Sequence, residues 1–332
     1  MPRLVVVEGY GVRLRVRKGC LVVESRSGRK ILPLAEIDRI VIVSSRVSIT
    51  SAVVRILARY GIDLLFLDSR GVPVTMLTPP WITATVDTRR CQYLAYANPG
   101  LALSYAKSFA VAKLGNQSRY LRYLAKTTGV RELEEDARKI EEKILEIEKI
   151  SGELDEARKS IMGIEGNAAR IYWGALATVL PKDLGFGGRD QDSNDPMNAC
   201  LNYLYGVLYA ECFKALARYG LDPYAGFLHV DRSGKPVLTF DFIEMFRVSA
   251  VDSLLVKLFR EGFRPSYDGE LLSRETRGKL VVEMQRWLDR KAREVVGETK
   301  PLREHLKSHA LKLARALRSF APYNGFVEAW WR

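Results

Sequence analysis

Short apolar runs broken by polar residues, strictly alternating in one of them, mark the first 78 residues. The segments LVVVEG, VRLRVRKGCLVVES, RKILPLAEIDRIVIVSS and IDLLFLDSRGVPVTML are short, β-branched and punctuated by Gly, Ser and Asp, a pattern that predicts strands. In Val12-Arg13-Leu14-Arg15-Val16-Arg17 the alternation puts three arginines on one face and three apolar residues on the other. One segment breaks the pattern. SAVVRILARYG, 51 to 61, has helical spacing and ends on Gly61, a predicted C-terminal cap. DSRG at 68 to 71 predicts a hairpin turn.

Leu77-Thr78-Pro79-Pro80 closes this block. Adjacent prolines resist both helix and central strand, so a linker is expected over 79–90. From 91 onward the spacing turns helical. Ile140, Ile144 and Ile147 recur at helical spacing within a charged segment, 131–150. Leu302, Leu306, His309, Leu313, Leu317 and Phe320 form an apolar stripe on a basic helix, read here as core packing. Polar, Gly- or Pro-containing segments at 181–196 and 263–275 are expected loops. The fold class that follows is α+β in two domains. A β-sandwich-like domain spans 1–78, and an all-helical domain spans 91–332.

Composition changes the picture in one respect. The chain has 332 residues, 47% of them hydrophobic and 27% charged, as a globular protein requires. It carries 52 Lys and Arg against 39 Asp and Glu, a net charge of +13. The excess sits in residues 1–78 and 286–320, and such an excess points to a polyanionic partner, with DNA or RNA foremost. No run of 18 apolar residues is present, so no membrane span is expected. Arg13, Arg15 and Arg17 follow Glu8 at the N-terminus, which argues against a cleaved signal peptide. Cys20, Cys91, Cys200 and Cys212 are scattered without a CxxC pair. A reduced, cytoplasmic setting is therefore expected.

Candidate chemistry concentrates in GFLHVDRSGKPVLTFDFIEMFR, residues 226 to 247. His229 precedes Asp241 and Glu244, which read as the opening of a helix and, three apart, share one face. Imidazole with carboxylates is a mixed nitrogen and oxygen donor set suited to Mn²⁺ or Mg²⁺. On a basic chain the matching substrate is a phosphodiester. GIEGNAARIYW, 163 to 173, places Glu165 at an apparent helix start, and DPMNACLNYLYGVLYAEC, 195 to 212, reads as a helix carrying Asn198, Asn202 and Tyr205. Each segment alone is an ordinary capping pattern. His305 and His309, one helical turn apart beside Glu304, suggest a zinc pair. The order EHxxxH and the Lys- and Arg-rich surroundings oppose that, and His309 reads as a core histidine.

Taken in this order and spacing, the segments resemble the CRISPR-associated protein one family, the integrase and nuclease of spacer acquisition. The residues that carry the resemblance are Glu165 with Ala169-Arg170 and Tyr172-Trp173, DPMNACLNY, LDPYAGFLH ending in His229, and DFIEMFR with Asp241 and Glu244. One departure is visible: the family often reads LNYGY where this chain has Leu201-Asn202-Tyr203-Leu204-Tyr205. The resemblance implies metal ligands at Glu165, His229 and Glu244, with Asp241 close by. The residues themselves leave open whether Asp241 or Glu244 is the inner ligand. Arg170, Arg232 and Lys235 are candidates to hold phosphate oxygens, Asn202 to orient a ligand or water, and Tyr172 to touch the scissile strand. Asp241 is a candidate to deprotonate the nucleophile or to fix His229. The resemblance further implies insertion of duplex DNA through attack by a 3′-hydroxyl. It implies a homodimer formed largely through the β domains and a complex with CRISPR-associated protein two. A stand-alone nuclease of branched DNA and a non-catalytic DNA-binding scaffold are the competing readings.

Overall fold

A computed structural model describes residues 3–43, 45–68, 71, 73–77 and 86–330. It is mixed α+β, with strand-rich sheets first and a largely helical remainder. The chain divides into two compact units. The first takes Met1–Ile82, Asn202–Ala210 and Pro265–Gln285; the second takes Thr83–Leu201, Glu211–Arg264 and Arg286–Arg332.

In the first unit the predicted alternation forms two four-stranded sheets. Strands β1 (Arg3–Val7), β2 (Val12–Arg17), β3 (Cys20–Ser25), β4 (Gly28–Pro33) and β5 (Ile37–Ile42) lead to a short β6 (Val47–Ile49) that the alternation did not predict. Helix α1 (Ser51–Tyr60) then precedes β7 (Asp63–Leu67) and β8 (Pro73–Leu77). One sheet has the order β1-β5-β7-β8 and the other β4-β3-β2-β6. Val12 and Leu14 are buried while Arg13, Arg15 and Arg17 are exposed, as the pattern requires. Leu14, Leu21, Ile40, Val53, Leu57 and Leu64 belong to one shared core, which joins both sheets and α1. Each such side chain contributes roughly 1.5–3 kcal/mol on burial. Gly61 caps α1 at φ 66°, a left-handed conformation that a side chain would strain. The parallel register places Arg39 opposite Asp63, both buried, with Nη2 3.8 Å from Oδ2.

The linker expected over 79–90 falls outside the described residues as far as 85. From 86 the chain is already helical: α2 (Val86–Ala97) is followed by α3 (Pro99–Thr128), α4 (Glu132–Lys149) and α5 (Leu154–Val179). Asn98 caps α3, its Oδ1 accepting from the Leu101 N–H at 3.1 Å, and Pro99 takes the first helical position, where its missing N–H costs nothing. Small residues on α3 (Ala102, Ala106, Ala110, Ala112) are fully buried, which lets α4 and α5 pack closely on it. Helix α6 (Pro196–Arg218) is capped by Asp195, whose Oδ1 accepts from the N–H groups of Met197 and Asn198 at 3.0 Å. Leu204, where the family often carries Gly, is fully buried in that helix.

Helices α7 (Val237–Glu244) and α8 (Ser253–Arg260) flank a single π-helical turn, Val248–Asp252. Two ribbons interrupt the helical pattern: β9 (Tyr267–Asp268) with β10 (Leu271–Leu272), and β11 (Lys291–Arg293) with β12 (Thr299–Pro301). Between and after them run α9 (Arg274–Leu288) and α10 (Leu302–Ser319). The apolar stripe on α10 is core from Leu302 through Leu317. Phe320 is not part of it: at φ 49° it ends the helix and is 42% exposed.

Candidate metal centre

Three elements of the second unit bring the expected ligands to one place. Glu165 sits in the interior of α5, not at its start; Gly163 and Gly166, which suggest an end, lie on an open helix face where nothing is packed within 4 Å of a would-be Cβ. Asp241 and Glu244 likewise stand in the middle and last position of α7, because the helix begins directly after Pro236. His229 lies in the irregular segment leading to it. All three carboxylates are buried.

Asp241 organises the segment around His229. Its Oδ2 accepts from the N–H groups of Phe227 at 2.6 Å and Leu228 at 3.0 Å. Its Oδ1 accepts from the His229 N–H at 2.9 Å and faces His229 Nδ1 at 2.7 Å. A carboxylate so saturated fixes the imidazole and leaves Nε2 as its ligand atom. Gly226 makes the approach possible: a Cβ there would stand 2.6 Å from Val237 Cγ1 and 2.9 Å from Asp241 Oδ2. From the other side Arg158 Nε donates to the Phe227 carbonyl at 2.7 Å, and Gln92 Nε2 donates to the carbonyls of Asp222 and Ala225.

The two glutamates meet at a lysine. Lys113 Nζ lies 3.3 Å from Glu165 Oε1 and 3.1 Å from Glu244 Oε2. Neither oxygen takes a hydrogen bond from the protein, although both are buried. The other oxygen of Glu244 pairs with Arg247 Nη1 at 2.7 Å. Asn116 holds the following residue, donating to the Met245 carbonyl at 3.0 Å. Burial opposes a charge on Glu244, but Arg247, Lys113 and His229 outweigh it and hold the carboxyl at about 2. Glu165 is less well neutralised: burial, with Glu244 nearby, leaves it above the ordinary range despite Lys113. On His229, burial favours the neutral ring, but the Asp241 hydrogen bond and the surrounding carboxylates raise its pKa.

A divalent cation fits these residues. Two buried carboxylate oxygens face one cationic position, now held by the Lys113 ammonium, and an oriented imidazole leaves one nitrogen to bind. The His229 side chain is 30% exposed, so the centre is open to solvent. A groove of about 780 Å³ is bordered by Gly166, Gly174, Gly187 and Gly188, with Arg170 and Arg189 along it and Asp190 and Asp195 in its lining.

The other expected residues fall in different places. Arg170 is exposed, with Nη2 donating to Asn167 Oδ1 at 3.3 Å. Arg232 and Lys235 are exposed in the turn between His229 and α7. Tyr172 is fully buried and its hydroxyl donates to Asp252 Oδ2 at 3.0 Å, so it is a packing residue and not one that touches a DNA strand. Asn202 belongs to the first unit, on α6. Lys113 and Arg247 were missed by the sequence reading. Arg247 follows Glu244 by one turn, and Lys113 interrupts the apolar run Phe109-Ala110-Val111-Ala112, where a charge needs a partner.

A second histidine cluster lies in the same unit. His305 and His309 are fully buried, and it is Glu294, not Glu304, that joins them; Glu304 pairs with Lys307. Among the described residues this is the group whose donor atoms all lie within 4.8 Å of one another. Glu294 Oε1 faces His309 Nε2 at 2.8 Å, and its Oε2 accepts from Lys312 at 3.0 Å. His305 Nε2 donates to the Ala292 carbonyl at 2.8 Å. Both carboxylate oxygens are therefore occupied, as in a structural ion-pair cluster.

A family model described as CRISPR associated protein Cas1 matches residues 5–286. Over 325 residues the chain is 35% identical to CRISPR-associated endonuclease Cas1 2 of Saccharolobus solfataricus, spanning 98% of this chain and 97% of that one. It is 40% identical over 286 residues to CRISPR-associated endonuclease Cas1 1 of Pyrobaculum aerophilum, spanning 84% and 89%. Among solved structures it is similar to a casposase bound to integration product, with a TM-score of 0.84 at 25% identity over 100% of this chain and 95% of that one. A Cas1 protein from Thermotoga maritima shares the fold, with a TM-score of 0.78 at 20% identity over 97% and 99%.

Proposed function

The chain belongs to the CRISPR-associated Cas1 family, and from that premise we propose that it is a metal-dependent DNA endonuclease and integrase. In this reading it inserts short duplex DNA into a CRISPR array, a DNA 3′-hydroxyl attacking a target phosphodiester. The observation that carries the reading is the unsatisfied carboxylate pair, Glu165 Oε1 and Glu244 Oε2, facing one cationic position beside an imidazole oriented by Asp241. Glu165, His229 and Glu244 would hold Mn²⁺ or Mg²⁺. When bound, such an ion polarises the phosphoryl group and offsets charge on the attacking and leaving oxygens.

The remaining roles belong to the protein. Asp241 already accepts three backbone N–H groups and faces the ring, so it is a positioning residue for His229, not an inner ligand. Arg247 keeps Glu244 ionised. Arg170 and Arg189 border a glycine-lined groove in which a DNA backbone can approach closely, the arginines taking phosphate oxygens. Arg232 and Lys235 extend the same charge beyond His229. The partners in this reading are double-stranded DNA, a second copy of the chain joined through its N-terminal β domain (residues 1–78), and CRISPR-associated protein two. Two centres in one assembly then serve the two ends of a duplex. The setting is cytoplasmic; among the described residues no helix is long and apolar enough to cross a membrane.

The test uses purified protein, Mn²⁺, supercoiled plasmid and short duplexes with free or blocked 3′ ends, with and without the partner protein. Covalent joining that needs both the free 3′-hydroxyl and His229 is expected. Cleavage indifferent to the 3′ end would reduce the protein to a nuclease, and metal-independent or absent chemistry would overturn the proposal.

A further inference from the structure

We propose that Lys113 is a resident counter-cation of the metal centre: its ammonium holds Glu165 and Glu244 together in the metal-free protein and withdraws when a divalent cation binds, so that Lys113 sets metal affinity. This inference rests on the metal reading above. Nζ lies 3.3 and 3.1 Å from the two carboxylate oxygens that take no hydrogen bond. The ammonium meets both oxygens as one shared positive charge, the part a metal ion plays. Mg²⁺ sits about 2.0–2.1 Å from its oxygen ligands and cannot share that space with an ammonium nitrogen.

The surroundings make the exchange physically reasonable. The glutamate side chains are 8% and 4% exposed, and two buried like charges left without a cation repel each other. Arg247 offsets only the far oxygen of Glu244. Lysine suits a removable charge. Its flexible four-carbon stem can swing while its backbone stays fixed in α3, and 18% of the side chain is already exposed. The ligands are also less closed than the Glu294 group, whose donor atoms all fall within 4.8 Å of one another.

The experiment compares wild type with Lys113→Met, near in length and uncharged. Free Mn²⁺ is followed by electron paramagnetic resonance, and melting temperature is read in EDTA and in Mn²⁺. The expected result is Mn²⁺ binding tightened by about tenfold or more in K113M, since a competing charge has gone. Its melting temperature should fall in EDTA and recover in Mn²⁺, by more than the wild type gains. Equal affinity, with the same loss of melting temperature in both conditions, would mean a packing role and overturn the inference alone. If K113M does not fold without metal, Lys113→Arg decides: it should fold in EDTA and bind Mn²⁺ no tighter than wild type, and tighter binding would contradict the idea. Absence of any Mn²⁺ site sensitive to Glu165→Gln would remove the metal reading and this inference with it.

Discussion

Two clusters in the helical unit are built from the same residue types and balance them in opposite ways. At Glu294, one carboxylate receives His309 and Lys312, with His305 Nδ1 3.8 Å away. At the centre on α5 and α7, two glutamates share one lysine, and a third carboxylate, Asp241, is spent on a histidine and three backbone amides. Burial pushes both sites toward neutral carboxyls. At Glu294 the His309 and Lys312 hydrogen bonds outweigh it and hold the carboxyl at about 2. At the other centre the outcome is split: despite burial, Arg247 and Lys113 hold Glu244 at about 2, while at Glu165 burial wins and the carboxyl rises. A His–Glu cluster with enough donors closes on itself; one with too few leaves two carboxylates sharing a single lysine. Proximity of donor atoms alone selects the Glu294 group.

The sharpest way to break this comparison is to remove a ligand on each side. Glu244→Ala or His229→Ala should lower strand transfer by on the order of 10²–10³-fold or more, with duplex binding, measured by titration, within a few-fold of wild type. Normal transfer would sink the site. Asp241→Ala should weaken Mn²⁺ binding by roughly 10–100-fold, as loss of a ligand-orienting carboxylate does, and lower the melting temperature because three amides lose their acceptor.

Glu294→Gln should do the reverse. Stability falls by roughly 1.5–3 kcal/mol, as when hydrogen bonds to a charged acceptor are lost, while transfer per folded molecule is unchanged. A large loss of turnover there would invert the comparison. The pH dependence follows the same line. Glu294 is depressed from 4.5 to about 2, so its contribution is complete above 4.5 and lost as pH falls toward 2. Burial also lowers His309 below 6.5, so protonation of the unfolded chain erodes stability from about that pH downward. Acid melting curves of wild type and E294Q should therefore converge at low pH. The smallest effect is expected from Arg170→Ala: DNA binding weakened a few-fold at all sequences, with the salt slope reduced by about one.

Much of the molecule was legible from pattern. The alternation at Val12–Arg17 and the Gly61 cap appear as read, because period and left-handed caps are local properties. The chemistry-bearing residues were legible as types. What they do was not, because it depends on neighbours distant in sequence. What Asp241 holds was visible only in its four hydrogen bonds, to three backbone amides and the His229 ring. Tyr172 looked available until its hydroxyl was found on Asp252 in the core. Glu294 could not be paired with His309 from spacing, since the β11–β12 ribbon that carries it was not foreseen. Lys113, a lone charge in an apolar run, was the signal most open to earlier use.

The account stands most directly on where a metal binds. Crystals soaked in Mn²⁺ and measured for anomalous scattering would locate it. A peak among Glu165, His229 and Glu244, with Lys113 turned away from the two carboxylates, is the predicted result. A peak among Glu294, His305 and His309, with none at the first site, would contradict it.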